Sequence, residues 1–356
     1  MPEREPRMTI KDVARQAGVS PGSVSRVLNS ADGVSPALRA RVENAARRLG
    51  FELNIAAQAM RGFSTRTVSC HVSTIENPLV AEMVRAAEER LLAAGYIMIV
   101  HSTGYDEERE LAALTSDRGR RVDGLISIAG PMTHERYQDT LARMEMPVVA
   151  VDRDFDWGDS ICVDHAGGAA QAVRQLAGLG HRRIGLLTPS PGLVAARRRA
   201  KGYRAELDRL DLPLDESLIE MVERRADIPA CMMRVLSRPE APTALIVLST
   251  WMLAQVLEYA RESGLAIPQD LSLVTVGDSD LARFNSPGIT AITWNLRHVG
   301  RSAAELLIER MEAHGAAPDA EPSAFRSFEV PTELVLRASC APPRGTAEAA
   351  GAGRLQ

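Results

Sequence analysis

The stretch SPGSVSRVLN, from Ser20 to Asn29, sets four polar side chains close together: Ser23, Ser25, Arg26 and Asn29. An arginine on a surface of this kind can give a bidentate pair to guanine O6 and N7, with short hydroxyls beside it to donate or accept. On a plain packing unit the same residues would be a solvated helix face. Which chemistry applies depends on the elements that present them.

Punctuation defines those elements. Interior proline costs a helix about 3 kcal/mol and glycine about 1, so Gly18 and Ser20-Pro21 split the segment into two short helices instead of one. TIKDVARQA starts at Thr9 as N-cap, with Asp12 three places on as the capping-box acid, and stops at Gly18. PGSVSRVLN takes Ser20 as N-cap and Pro21 at the first helical position, where a missing N–H costs nothing. PALRARVENAARRLG repeats the device with Ser35 and Pro36 and ends at Gly50. Val13, Ala14, Ala17, Val19, Val24, Val27, Leu38, Val42, Ala45 and Leu49 supply a shared core for the three helices. Two short helices around a tight turn, the second with a polar outer face near its start, suit a helix that enters the major groove.

Charge distribution agrees. The chain of 356 residues carries a net −4, yet residues 1–62 carry +4 and the remainder −8. A basic head on an acidic body points to a polyanionic partner for the head. From Thr67 onward, strand-length apolar runs (TVSCHVSTI, YIMIVHS, VDGLISIA, PVVAVD, RIGLLTP, TALIVLS, LSLVTVG) alternate with helical patterns, the signature of parallel sheets covered by helices. Roughly 270 residues of this texture suit two sheets better than one. The expected organisation is a helix-turn-helix domain over 1–52, a hinge helix over 53–64, a two-part α/β core over 65–340 and a disordered tail over 341–356. Four scattered cysteines without a CxxC pair fit a reducing compartment. The charged N-terminus is no signal peptide and no apolar run is long enough to span a bilayer, so a cytoplasmic protein without a membrane partner is expected.

Taken together, TIKDVARQAGVSPGSVSRVLN, VSPALRARVENAARRLGFELN and AAQAMRG resemble the N-terminal region of the LacI/GalR family of bacterial transcription repressors. NPLVAEMV, LLAAGY, RRVDGLI, PVVAVDR, LGHRRIGLL, RRRAKGYRAEL, APTALIV, IPQDLSLVTVG and PTELVLRASC are similar to that family's later landmarks, in order, so that the resemblance covers about residues 8–340. It implies an α plus α/β architecture: a three-helix DNA-binding head, a hinge helix and a core like periplasmic binding proteins, with two Rossmann-like subdomains around an effector cleft. It also implies a homodimer that reads a pseudo-palindromic double-stranded operator under the control of a small molecule. The DNA contacts it implies are Thr9, Ser20, Ser23, Ser25, Arg26, Asn29, Asn54, Ala57 and Met60, with Met60 where the family commonly places a leucine wedge. The effector contacts it implies are Ser73, Thr74, Asp152, Arg199, Ser249, Asp278 and Trp294.

Departures from the family pattern shape these expectations. Pro21 and Gly22 stand where base-reading side chains are common, so readout leans on Ser23, Arg26 and Asn29. Ser249-Thr250 replace an Asn-Asp pair, Asp278 sits beside the position of a G-F-D aspartate, and Trp294 replaces a glutamine. Those are frequent sugar contacts, which turns the expected effector away from a simple sugar. Each pocket residue also has an ordinary structural use. Asp152 suits a loop cap, Arg199 lies in the solvated run RRRAK, Ser73 and Thr74 suit a turn, and Trp251 and Trp294 suit a core. His181 in GHRR suits a helix-to-strand turn.

Enzyme signatures are absent or misplaced. Gly18–Gly22 satisfies G-x-S-x-G, but a nucleophile elbow needs strand–turn–helix on a large sheet. There is no Walker A loop, G-x-G-x-x-G or H-E-x-x-H, and the seven histidines show no ligand spacing, so no catalytic residue, cofactor or metal is expected. The competing reading is a cytoplasmic small-molecule-binding protein or enzyme with a vestigial head.

Overall fold

The computed structural model describes residues 8–28, 34–51, 64–128, 135–144, 146–153, 158–190, 192–316 and 324–344. The chain divides into two compact units, Met1–Thr65 and Arg66–Gln356. Asn29 and the expected hinge contacts Asn54, Ala57 and Met60 lie outside the described residues, as do residues 345–356 of the expected tail.

The first unit holds α1 (Ile10–Ala17), α2 (Pro21–Leu28) and α3 (Pro36–Arg48). The Asp12 carboxylate accepts from the Thr9 backbone N–H at 3.0 Å and from its hydroxyl at 2.6 Å, which starts α1. Gly18 ends it at φ 64, ψ 41, a left-handed geometry that costs a Cβ-bearing residue about 1–2 kcal/mol. The Val19 N–H then closes on the Ala14 carbonyl at 3.0 Å. Ser20 Oγ accepts from the Ser23 N–H at 3.1 Å and opens α2, and Ser35 Oγ does the same for α3 through Leu38. Val13, Ala14, Ala17, Val24, Val27, Val42, Ala45 and Ala46 form the buried centre, with Val19, Leu38 and Leu49 packed on it.

The second unit contains two six-stranded sheets. The first has the order β11-β5-β4-β3-β1-β2, all parallel. Its strands are β1 (Thr67–Val72), β2 (Ile97–Ser102), β3 (Gly124–Ile128), β4 (Val148–Val151), β5 (Asp159–Val163) and β11 (Ser327–Val330). The second has the order β12-β10-β9-β8-β6-β7, parallel except where β12 meets β10. It is built from β6 (Ile184–Thr188), β7 (Ile219–Met221), β8 (Ala244–Val247), β9 (Ser272–Val276), β10 (Thr290–Thr293) and β12 (Glu333–Val335). Strands such as GLISI and ALIV are buried at every position, as expected for parallel sheets covered on both faces.

Helices α4 (Pro78–Ala93), α5 (Glu107–Arg120), α6 (Glu135–Ala142) and α12 (Leu296–Ala316) accompany the first sheet. The second sheet carries α7 (His165–Gly178), α8 (Val194–Arg209), α9 (Ile228–Leu236), α10 (Thr250–Ser263) and α11 (Asp280–Phe284). The chain crosses between the lobes three times, after β5, after β10 and after β11, so the core is two lobes on three strands. Arg310 of α12 grips Asp159 bidentately at 2.7 and 2.9 Å, and the Arg326 N–H adds a third bond at 2.8 Å. That buried carboxylate fixes β11 beside β5 after the chain has returned from the other lobe.

Composition suggested a disordered tail from Ala341, but the chain is held as far as Arg344. The Ala341 carbonyl accepts from His181 Nε2 at 2.9 Å and from the Ser272 hydroxyl at 3.1 Å, while Arg344 pairs with Asp270. His181 also meets Thr243 Oγ1 at 2.8 Å, the structural role expected of GHRR.

Candidate functional site

On the head, α2 turns Val24 and Val27 inward and leaves Arg26 exposed on the opposite side. Ser23 and Ser25 are half-buried, and Ser23 Oγ lies 3.0 Å from the Ser20 hydroxyl, so both oxygens begin with a partner. Thr9 is exposed but its hydroxyl is committed to Asp12. Arg26 has no partner among the described residues and is the one side chain of α2 with an uncommitted five-donor fork. Gly18–Gly22 joins α1 to α2, so the G-x-S-x-G match does not sit on a strand-to-helix elbow.

In the core, a cavity of about 710 Å³ opens between the two lobes. Ser73, Asp152, Arg199, Ser249 and Trp294, proposed from sequence as effector contacts, line it. So do Asn77, Tyr105, Ser190, Glu223, Arg225 and Trp251, over apolar walls from Leu79, Val80, Met83, Leu248 and Val276. Two expected contacts face elsewhere. Thr74 is half-buried, and its Oγ1 accepts from the Glu76 N–H at 3.2 Å inside the turn. Asp278, one residue beyond the tight Gly277 turn at φ 93, pairs with Arg337 at 2.6 Å.

A chain of close polar contacts forms the polar floor. Asp152 follows β4 at φ 52, a conformation few residues other than glycine adopt. Its Oδ1 accepts from the Val163 N–H at 2.9 Å, and its Oδ2 lies 3.1 Å from Nε2 of His165. Arg199 donates through Nη1 to the Leu248 carbonyl and through Nη2 to His165 Nδ1, both at 3.1 Å. A guanidinium only donates, so Nδ1 is the acceptor and the imidazole proton sits on Nε2, facing Asp152. Burial lowers the His165 pKa, and the Arg199 charge beside it works in the same direction. Burial alone would raise the Asp152 pKa, but His165, the Val163 N–H and Arg199 together hold it below the usual carboxylate range. Removal from water pulls Arg199 down to about 10, against the pull of Asp152. At neutral pH the floor therefore carries one cation and one anion separated by a neutral imidazole.

Packing fixes this chain. A Cβ on Gly202 would sit 2.1 Å from the Ala166 carbonyl oxygen, so α8 and α7 touch backbone to backbone. That contact, one turn from Arg199, brings its guanidinium to His165 at the start of α7. His165 also packs edge-on against Trp294, ring centroids 5.4 Å apart, and the Arg199 guanidinium lies 5.9 Å from the same indole. Two buried polar atoms on the wall, Ser73 Oγ and Trp294 Nε1, have no partner among the described residues. Leaving such a group unpaired costs about 1–3 kcal/mol, which a bound acceptor would recover. At the mouth, Arg225 reaches to 3.6 Å from Glu76 across the lobes, an exposed and therefore weak pair.

Residues 9–54 match the family described as bacterial regulatory proteins, lacI family, and residues 173–340 match the periplasmic binding protein-like domain. The ribose operon repressor of Escherichia coli K12 is 31% identical over 308 residues, covering 85% of this chain and 93% of that protein. This chain belongs to the LacI family. The HTH-type transcriptional regulator DegA of Bacillus subtilis is similar over a longer span, 28% identical over 343 residues, 94% of this chain and 99% of DegA. A crystal structure of the lac repressor dimer bound to operator and the anti-inducer ONPF superposes with a TM-score of 0.79 at 26% identity, over 94% of this chain and 100% of that one. As a LacI-family protein the chain is a DNA-binding transcription regulator with an effector-binding core. Its relatives are regulators, and its two parallel-dominated sheets and helix-turn-helix head are those of the family.

His165 was not legible as a site residue. In VDHAGG it reads as the first residue of a helix behind its N-cap Asp164, which it also is. Its second role comes from the first crossover, which sets it between Asp152 and Arg199. Tyr105 and Arg225 carry no signal in sequence either, since Tyr105 reaches the cavity from a turn and Arg225 from the start of a short 3-10 helix.

Proposed function

We propose that this LacI-family protein is a cytoplasmic homodimeric repressor that binds a pseudo-palindromic operator through α2 and releases or tightens on it when a small molecule fills the interlobe cavity. The Asp152–His165–Arg199 chain carries this reading. Asp152 ends a strand of the first lobe, His165 sits on a crossover, and Arg199 belongs to the second lobe, so a ligand on Arg199 acts where the lobes are joined. Arg26 is assigned to base reading, with Ser23 and Ser25 beside it. Asn29, Asn54, Ala57 and Met60 remain proposed DNA contacts from sequence alone, with Met60 as the apolar residue that enters a central base step.

The cavity's own chemistry narrows the effector. A guanidinium fork suits a carboxylate or a pair of hydroxyls. The unpaired Trp294 N–H and Ser73 hydroxyl add donors, and the walls are apolar and aromatic. An acceptor-rich head, most simply a carboxylate, on an apolar or planar body fits better than a polyhydroxylated sugar.

Operator selection from random duplexes followed by anisotropy titration tests the DNA-binding half. Each phosphate neutralised contributes about 0.9 to the slope of log K against log salt, so a steep negative slope and a selected inverted repeat are expected. A flat salt dependence with no enriched sequence would favour the vestigial-head alternative.

A further inference from the structure

Away from the cleft, the first lobe gathers three ligand-type side chains that sequence spacing does not display. His71 and His101 are register partners on adjacent parallel strands β1 and β2, so both project from one face of the sheet. Helix α5 crosses that face and brings Asp117 down between them. Asp117 Oδ2 lies 2.7 Å from His71 Nε2, and its Oδ1 lies 3.2 Å from His101 Nε2. The three donor atoms all fall within 4.8 Å of one another. Tetrahedral bonds of about 2.0–2.1 Å put ligand atoms about 3.3 Å apart, a spacing small side-chain rotations reach from here.

We propose that His71, His101 and Asp117 bind one zinc-class divalent cation, through both Nε2 atoms and a carboxylate oxygen, with a fourth position left for water on the His101 side. His71 and Asp117 are 0% exposed, whereas the His101 side chain is 24% exposed and gives a route in from solvent. Outer partners fit a metal-bound imidazole. His71 Nδ1 lies 3.4 Å from the Tyr137 hydroxyl, which lies 3.4 Å from Ser127 Oγ, so a proton held on Nδ1 has an acceptor. The other charges facing the site are Arg153, stacked 5.2 Å from the Tyr137 ring, and Glu110, which pairs with Arg153 at 2.6 Å and offsets it. Burial lowers the His71 pKa and favours the neutral ring a metal requires. Nitrogen and oxygen donors in a buried three-ligand set suit Zn²⁺ over Ca²⁺ or Mg²⁺. Coordination through Nε2 requires each imidazole to be neutral with its proton on Nδ1. The bound ion would tie α5 to β1 and to the edge strand β2.

The full chain, dialysed against a chelator, is titrated with ZnCl2 by calorimetry and with CoCl2 by visible absorption. One metal per chain is expected, with cobalt d–d bands of a low-coordinate site, no thiolate charge-transfer band and a raised melting temperature. His101→Gln, at the ligand that reaches solvent, should fold and lose affinity by more than about tenfold. Asp117→Asn should do the same, and His314→Gln, at an exposed histidine on α12, should change nothing. Absence of stoichiometric binding by the unaltered chain overturns the site. So does affinity that survives both His101→Gln and Asp117→Asn, since the trio is then only a hydrogen-bonded network.

Discussion

Arg199→Ala is expected to abolish the response to effector while operator binding without effector persists. The guanidinium is a cation on the cavity floor, and its fork can meet a carboxylate with two charge-assisted hydrogen bonds of about 1.5–3 kcal/mol each. Their loss corresponds to at least about a hundredfold in ligand affinity. The substitution also strips partners from the Leu248 carbonyl and His165 Nδ1, so a lower melting temperature should accompany it. Arg199→Lys separates the two effects. It keeps a positive charge but loses the planar fork, and should restore part of the stability with little of the affinity. Ligand affinity unchanged in both variants would remove Arg199 from the binding site.

Arg26→Ala should weaken binding to the selected operator by about 1–3 kcal/mol, roughly five- to 150-fold, and relax the preference at one position in each half-site. The structural ground is the division of labour on α2. Val24 and Val27 are committed to the core, Ser20 and Ser23 bond each other, and Pro21 and Gly22 offer no side-chain donor. Arg26 is exposed and lies on no core contact, so the variant should melt with the unaltered protein. Competition titrations on specific and scrambled duplexes distinguish its roles. An equal loss on both would make Arg26 a phosphate contact only.

The head was legible in sequence because its instructions are local. Thr9 with Asp12, Gly18, Ser20-Pro21 and Ser35-Pro36 each specify a cap within four residues, and every core residue expected for the three helices is in the cluster observed. The alternation of strands and helices after Thr67 was equally local. The cleft was legible only at strand ends and along α8, where Ser73, Asp152 and Arg199 sit. His165 carries no local signal because its partners are 13 residues before it and 34 after it, and the crossover after β5 sets it between them. The chain positions of Asp278 and Thr74 suggest the cleft, whereas Arg337 and the Glu76 N–H set the directions of their side chains. His71, His101 and Asp117 are separated by 30 and 16 residues, so nothing short of strand register reveals them.

A molecule in the interlobe cavity and an operator on the head are expected to share one equilibrium. Linkage makes this testable in a single cycle. Effector affinity is measured calorimetrically with and without saturating operator, and operator affinity by anisotropy with and without saturating effector, all at one salt concentration. Two coupling factors of the same size, about five- to 150-fold, are expected, reduced to one by Arg199→Ala. An effector that occupies the cavity yet leaves operator affinity unchanged would contradict this linkage.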